Sequence, residues 1–376
     1  MKFPRPVLYI VFASVAAAQS GEDEIPIFDL DDYLITPKMT LGVGFRGLTG
    51  PKVDFKSGAG VVNSIRSTQG HGDLTSTGII RNYHDGFVAL DRRLDADENP
   101  VNDGQTNTWR FVDERQLSAD GYVTMSTYRA DVFDGASRER DGGNSFGAEL
   151  MVSRDMGKLG GRMEWRLFAG LSINGVNVTT HDSLLAEVTR LTDFYFLNGA
   201  ELPFVPYTAP SVTTDADGNI VNTTVLLGQA PNSRVTTVTN DVEVNSFWKL
   251  KGSFLTVRLG PSVSYMVKDN IRLSLSAGPA FAYVGTNYTV EQSFLPDTSD
   301  AITTATTEMD DDFLTGYFVD ATVEYLLTER AGLYMGAFYQ STGTYEQSLA
   351  ATGVNYTARL DMRSMQGLRA GLNYRF

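Results

Sequence analysis

A chain of 376 residues with a net charge of −14 and no cysteine holds no disulfide framework, thiolate metal site or cysteine nucleophile. The acidity excludes a nucleic-acid partner, which needs a basic surface. It reads instead as solvated acidic loops, where divalent cations are the ligand that the charge invites.

Residues 1–18 read as a signal peptide. Lys2 and Arg5 lead, Pro6 to Val15 form the apolar run, and Ala16-Ala17-Ala18 ends it with small residues. Loss of the two cations takes the net charge to −16. The apolar run is too short to cross a membrane as a helix, and no run of ~20 apolar residues follows. Residues 19–38 are acidic and lack a period, and are expected to form a periplasmic N-terminal segment.

From Met39 the chain alternates. Met39, Leu41, Val43 and Phe45 interleave with Thr40, Gly42, Gly44 and Arg46, which predicts a first strand. Residues 49–120 are a long polar loop with one expected strand around Gly78 to Asp91 and an apolar patch at Thr108 to Val112. Gly121 to Arg129 reads as another strand. Phe146, Ala148, Leu150 and Val152 share one face of the next. Met163, Trp165, Leu167, Ala169, Leu171 and Ile173 share a face of the one after, with Arg162, Glu164 and Arg166 opposite. Residues 174–240 are a second long excursion, expected to hold a hairpin of 188–197 against 234–244.

The clearest stretch follows. Leu255, Val257, Leu259, Val263, Tyr265 and Val267 alternate, then Ile271, Leu273, Leu275, Phe281 and Tyr283, around the polar turn Lys268-Asp269-Asn270. A three-residue turn would pair Val267 with Ile271, Tyr265 with Leu273 and Val263 with Leu275. Arg272, Ser274, Ser276, Gly278, Ala280 and Ala282 occupy the other face. Residues 291–310 read as a polar loop. Phe313 to Tyr325 alternates around Asp320 and Glu324, Thr328-Glu329-Arg330 is a tight link, and Leu333 to Tyr339 continues. Residues 341–354 are a loop, and the last strand ends Leu368, Ala370, Leu372, Tyr374, Phe376.

Long loops thus alternate with short turns, the pattern of a transmembrane barrel. Its arms approach the ~9–11 residues that cross a bilayer at a tilt. Tyr317 and Tyr325 share a face and would stand about 20 Å apart in height, close to the spacing of aromatic girdles. The expected architecture is an all-β, antiparallel up-and-down transmembrane barrel over residues 39–376. Ten strands are expected, with eight as the alternative; the tenth is sought in Gly78 to Asp91.

The final residues GLRAGLNYRF resemble the C-terminal assembly signal of bacterial outer-membrane β-barrel proteins, with Tyr374 and Phe376 at the aromatic positions. At the level of pattern, residues 39–376 resemble small OmpA-like or porin-like barrels. The insertions at 49–120 and 174–240 depart from the smallest of them. The resemblance implies an outer-membrane location, lipid contact and recognition by the barrel-assembly machinery.

Candidate chemistry is sparse. Gly42-Val-Gly44-Phe-Arg-Gly47 spells a dinucleotide motif, but no helix can open at Leu48-Thr49-Gly50-Pro51, so strand glycines are expected. Asp215-Ala-Asp217-Gly218 lacks two carboxylates of a calcium loop and reads as a turn. Asp310-Asp311-Asp312, with Glu308 and Asp300, is the better cation candidate. The three histidines are His71, His84 and His181. His84 and Asp85, adjacent in an extended segment, face opposite ways and do not simply pair. No cofactor, catalytic residue or metal ligand is assigned, and no enzymatic activity is expected.

The inward-facing set is more informative: Glu149, Arg162, Glu164, Arg166, Arg272, Asp320, Glu324, Arg369 and Arg375. In a narrow bore such charges are expected to pair, because isolated ones are costly. They act either as a structural plug or as the lining of a small passive pore. A structural or surface-exposed protein, or one binding a ligand or partner through its long loops, fits the same pattern, and a membrane-embedded hydrolase is the lesser alternative.

Overall fold

The computed structural model describes residues 38–62, 72–133, 135–296, 300–351 and 354–376. The expected signal peptide and nearly all of the expected periplasmic segment, together with His71, lie outside those residues.

Eight strands pair antiparallel into a closed ring. They are β1 (Met39–Thr49), β2 (Asn144–Gly160), β3 (Met163–Phe196), β4 (Ser233–Lys268), β5 (Ile271–Phe294), β6 (Ile302–Leu326), β7 (Ala331–Ser341) and β8 (Met365–Arg375). Each pairs with the next, and β8 closes on β1, with Phe45 opposite Ala370. The expectation of ten strands is therefore corrected. Gly78 to Asp91 holds only the short strands Arg81–Asn82 and Gly86–Val88, and Gly121 to Arg129 belongs to a strand, Tyr122–Val132, that pairs with the distal part of β3. Both alternate in sequence because a sheet packed on one face in water has the same period as one wetted by lipid.

The central hairpin forms as its pattern demands, with Tyr265 opposite Leu273 and Val263 opposite Leu275. Its turn is tighter than expected. Lys268 pairs with Ile271, and the extra residue Val267 is taken up by a bulge between Met266 and Lys268. Apolar side chains face outward around the ring. Phe45 is 81% exposed, Leu275 58% and Leu273 42%, so none of these three packs into a core.

Residues 174–240 and 291–310, expected as loops, are largely strand. β3 and β4 run on far past the ring, pairing from Met163–Tyr265 up to Phe194–Ser233, which includes the expected outlying hairpin. β5 and β6 likewise continue to Phe294–Ile302. On the other side the ring strands break and resume as a separate sheet of Thr344–Ala351, Val354–Asp361, Lys52–Ser57 and Ser137–Asp141. Ring pairing stops at Gly147–Asn174 and at Tyr317–Ser341. There a Cβ on Gly147 would overlap the Ile173 carbonyl, and one on Gly316 the Ser341 carbonyl. Beyond these two seams the barrel becomes a sandwich. Its two sheets enclose an apolar core that includes Phe55, Trp248, Leu250, Tyr288, Tyr345 and Tyr356.

Farther out, a small sheet (Arg81–Asn82, Gly86–Val88, Trp109–Phe111, Tyr207–Thr208) packs on the distal face of β3 and its neighbour. The Trp109 and Tyr207 rings meet at a tilt, 4.9 Å between centroids, and Trp109 Nε1 donates to the Val225 carbonyl at 2.8 Å. Buried Asp193 is held by Arg234 (2.6 and 2.7 Å) and by the Tyr83 hydroxyl (2.6 Å).

Candidate functional site in the barrel lumen

Alternation along the ring strands turns one set of side chains inward, and their neighbours set the space available. Arg258 on β4 lies opposite Gly170 and Ala280, Glu149 on β2 opposite Gly44, and Arg369 on β8 opposite Gly336. Each of these three long side chains thus has a glycine on one flank, although Arg369 has Arg46 on the other, and a few such side chains fill the bore of a small barrel.

They meet in a closed cycle. Arg258 bonds Glu149 through one terminal nitrogen and Asp320 through the other at 3.2 Å. Arg369 bonds Glu149 at 2.8 Å and also Asp320, with a further bond to Thr322 Oγ1 at 2.5 Å. Two cations alternate with two anions, and all four side chains are 0–2% exposed. At such burial each charge is tolerable only because its partners replace water. Arg46 lies on the distal side with no solvent exposure. It donates to Ser172 (2.6 Å) and Gln340 (2.8 Å), and its guanidinium stands 3.7 Å from the Phe338 ring.

A second layer lies toward the short turns. Glu324 accepts from Arg272 (3.2 Å) and Asn373 (3.2 Å) and forms an ion pair with Arg375 (3.0 Å), while Glu164 meets Arg166 at 3.4 Å and Arg272 at 3.7 Å. Arg162, expected among these residues, is corrected. It is exposed at the β2–β3 turn and donates to the Val267 carbonyl at 3.2 Å, because the turn carries it beyond the mouth. Sequence reasoning missed Arg46 and Arg258, though both stand at inward positions of strands it had identified.

The other candidates disperse. Gly42 and Gly44 lie within β1, facing the lumen. Asp215 caps a turn, accepting from the Asp217 and Asn219 amides at 3.0 and 2.8 Å. Asp310, Asp311 and Asp312 lie within β6, where successive side chains diverge, so the expectation of an acidic loop there is corrected. Among the described residues no three acidic or histidine side chains converge as metal ligands. His84 Nδ1 accepts from the Tyr128 amide at 3.2 Å, and Asp85 accepts from the Ser126 amide at 2.7 Å. Burial pushes the Asp85 carboxyl up to about 7. His181 stacks on Phe247 at 4.8 Å.

No family model matches the chain, and no curated protein does. Solved structures similar to it are the outer-membrane protease OmpT of Escherichia coli (10% identity, 91% of this chain and 98% of that one, TM-score 0.26), a FadL homologue of Pseudomonas aeruginosa (10%, 90% and 90%, 0.18) and the toluene transporter TodX of Pseudomonas putida (6%, 90% and 90%, 0.17). The narrower resemblance to small OmpA-like or porin-like barrels finds no counterpart among them. The expectation of no enzymatic activity is corrected, since a protease stands among the similar structures. At a TM-score of 0.26 that likeness assigns this chain neither an activity nor a site. The antiparallel barrel itself rests on the strand pairing of this chain.

Proposed function

We propose that the chain is an integral outer-membrane protein, exported through residues 1–18, whose ring crosses the lipid and whose sandwich and distal sheet stand outside the cell. Its bore is sealed, and it acts as a surface-exposed structural or binding protein rather than as a pore. The observation that carries this reading is the buried cycle of Arg258, Glu149, Arg369 and Asp320 across the lumen, with the apolar sandwich core beyond it. A conducting path would have to part four mutually paired charges and then cross Trp248, Phe55 and Tyr288.

The exposed apolar band supports the lipid contact. Tyr265, Tyr325, Tyr374 and Phe376 are exposed near the short turns, and Tyr283, Tyr317 and Tyr339 at the far border. Purified protein in planar bilayers should give no discrete current steps; reproducible unitary steps would end the sealed-bore reading.

A second reading, in which the distal part engages an extended segment of a partner protein, is favoured by β4 itself. Residues 235–241 are exposed on both faces and, among the described residues, pair only with β3. Such an edge accepts a further strand through its backbone. Slower hydrogen exchange of these amides on intact cells than in purified protein would support it, and equal exchange would oppose it.

A further inference from the structure

The lumen holds more positive charge than its acids balance. Among the described residues, Arg46, Arg166, Arg258, Arg272, Arg369 and Arg375 face it, against Glu149, Glu164, Asp320 and Glu324. Asp155, half-buried opposite Arg166, adds a fifth acid at the mouth, whereas Arg162 there is exposed. Six cations against five anions leave the cations in excess, and uncompensated charge inside the wall is costly.

The distal part of that surplus has partners. Arg46 is held by Ser172, Gln340 and the face of Phe338. The proximal part is met only in part, Arg166 by Glu164 and Arg369 by Glu149 and Asp320. The Arg166 and Arg369 side chains are 9% and 2% exposed, yet the Nε of each donates to nothing. Both side chains border a cavity of about 50 Å³ whose other walls include Ser262, Ser274, Ser276 and Thr322. Glu324 also borders it, but its oxygens already accept from Arg272 and Asn373 and pair with the Arg375 charge; Asn373, on the same wall, has an Oδ1 that accepts from nothing. Guanidinium and hydroxyl donors thus line part of the cavity, beside the apolar Met151 and Phe168, and its size admits a monatomic anion with a water or two but no larger oxyanion assembly.

We propose that this cavity is a halide site, occupied by chloride held between the guanidinium groups of Arg166 and Arg369 and the serine hydroxyls. The bound anion offsets the cation surplus and locks β3, β4, β5 and β8 to one another around it. The proposal does not depend on what the extracellular part does.

Crystals of the detergent-purified protein grown in sodium bromide and measured at the bromine edge test it directly. An anomalous peak within hydrogen-bonding reach of Arg166 and Arg369 is expected; water density with no anomalous signal would overturn the proposal. In solution, the unfolding midpoint should be roughly 2–4 °C higher in chloride than in gluconate at equal ionic strength. That difference should vanish in Arg166→Gln, and in Ser276→Ala should the former fail to fold. A chloride effect that persists unchanged in both, or no effect in the parent protein, would equally overturn it.

Discussion

The same four strands, β3 to β6, build two regions of opposite polarity. Within the ring, β4 shows Leu255, Val257 and Leu259 outward and Arg258, Ser262 and Ser264 inward; beyond it, Lys251 and Ser253 face outward while Trp248, Leu250 and Phe254 are buried. β5 follows suit. Leu273 and Leu275 are outside and Arg272 and Ser276 inside, then Glu291 is exposed and Val284, Tyr288 and Val290 are buried. Across the border between the two regions β5 and β6 stay in register; only the sense of the alternation inverts, between Tyr283 and Gly285 on β5 and between Phe313 and Asp311 on β6. The lesson is that each face matches the medium it meets. A face in lipid is apolar and leaves charges to fill a narrow bore, whereas a face in water is polar and leaves the apolar residues to make a core.

Breaking the ring from within should cost most. Arg258→Ala leaves Glu149 and Asp320 buried with one cation fewer, at about 3–5 kcal/mol. The midpoint of heat-dependent gel mobility should fall accordingly, and an unchanged midpoint would show that the cycle contributes little. Next comes the lipid face. Leu275→Arg should cost about 2–4 kcal/mol near the bilayer midplane. An equal cost for Leu275→Arg in the detergent-free aqueous phase, with the protein soluble, would remove the membrane from the account.

The distal region responds to pH. Asp85 carries a folded-state pKa of about 7, above its ordinary value near 4, so the folded state binds the proton more tightly. Its contribution is full below about pH 4 and is lost as pH rises through about 7, on the order of 4 kcal/mol. Protease resistance of residues 81–129 should therefore decline from pH 4 to 8, and Asp85→Asn should flatten that decline. The smallest effect sharpens the comparison with Leu275. Thr307→Arg, on the same outward side of the wall but beyond the inversion, should stay within about 0.5 kcal/mol. A cost as large as that of Leu275→Arg would move the border of the lipid outward.

Much of the ring was legible in the chain. Alternation identified every ring strand, and the expected pairs Tyr265–Leu273 and Val263–Leu275 form, though through a shorter turn whose missing residue the bulge at Val267 makes up. Inward charges such as Glu149 and Asp320 were visible as the polar half of each strand. Their cycle was not, because its members come from β2, β4, β6 and β8, and only closure brings these strands face to face.

The strand count failed for a related reason. Tyr122–Val132 and Gly86–Val88 alternate as a membrane strand does, since period two records that one face is buried and not what buries it. The sequence by itself determined local conformation, the two-faced strands and the chain's division into short turns and long excursions, because these depend on near neighbours. Tertiary structure alone decided that the ring closes at eight, that the long excursions continue as a sandwich, and which charges pair. Those outcomes depend on contacts such as Arg369 with Glu149, 220 residues apart in the chain, whose geometry no local pattern encodes.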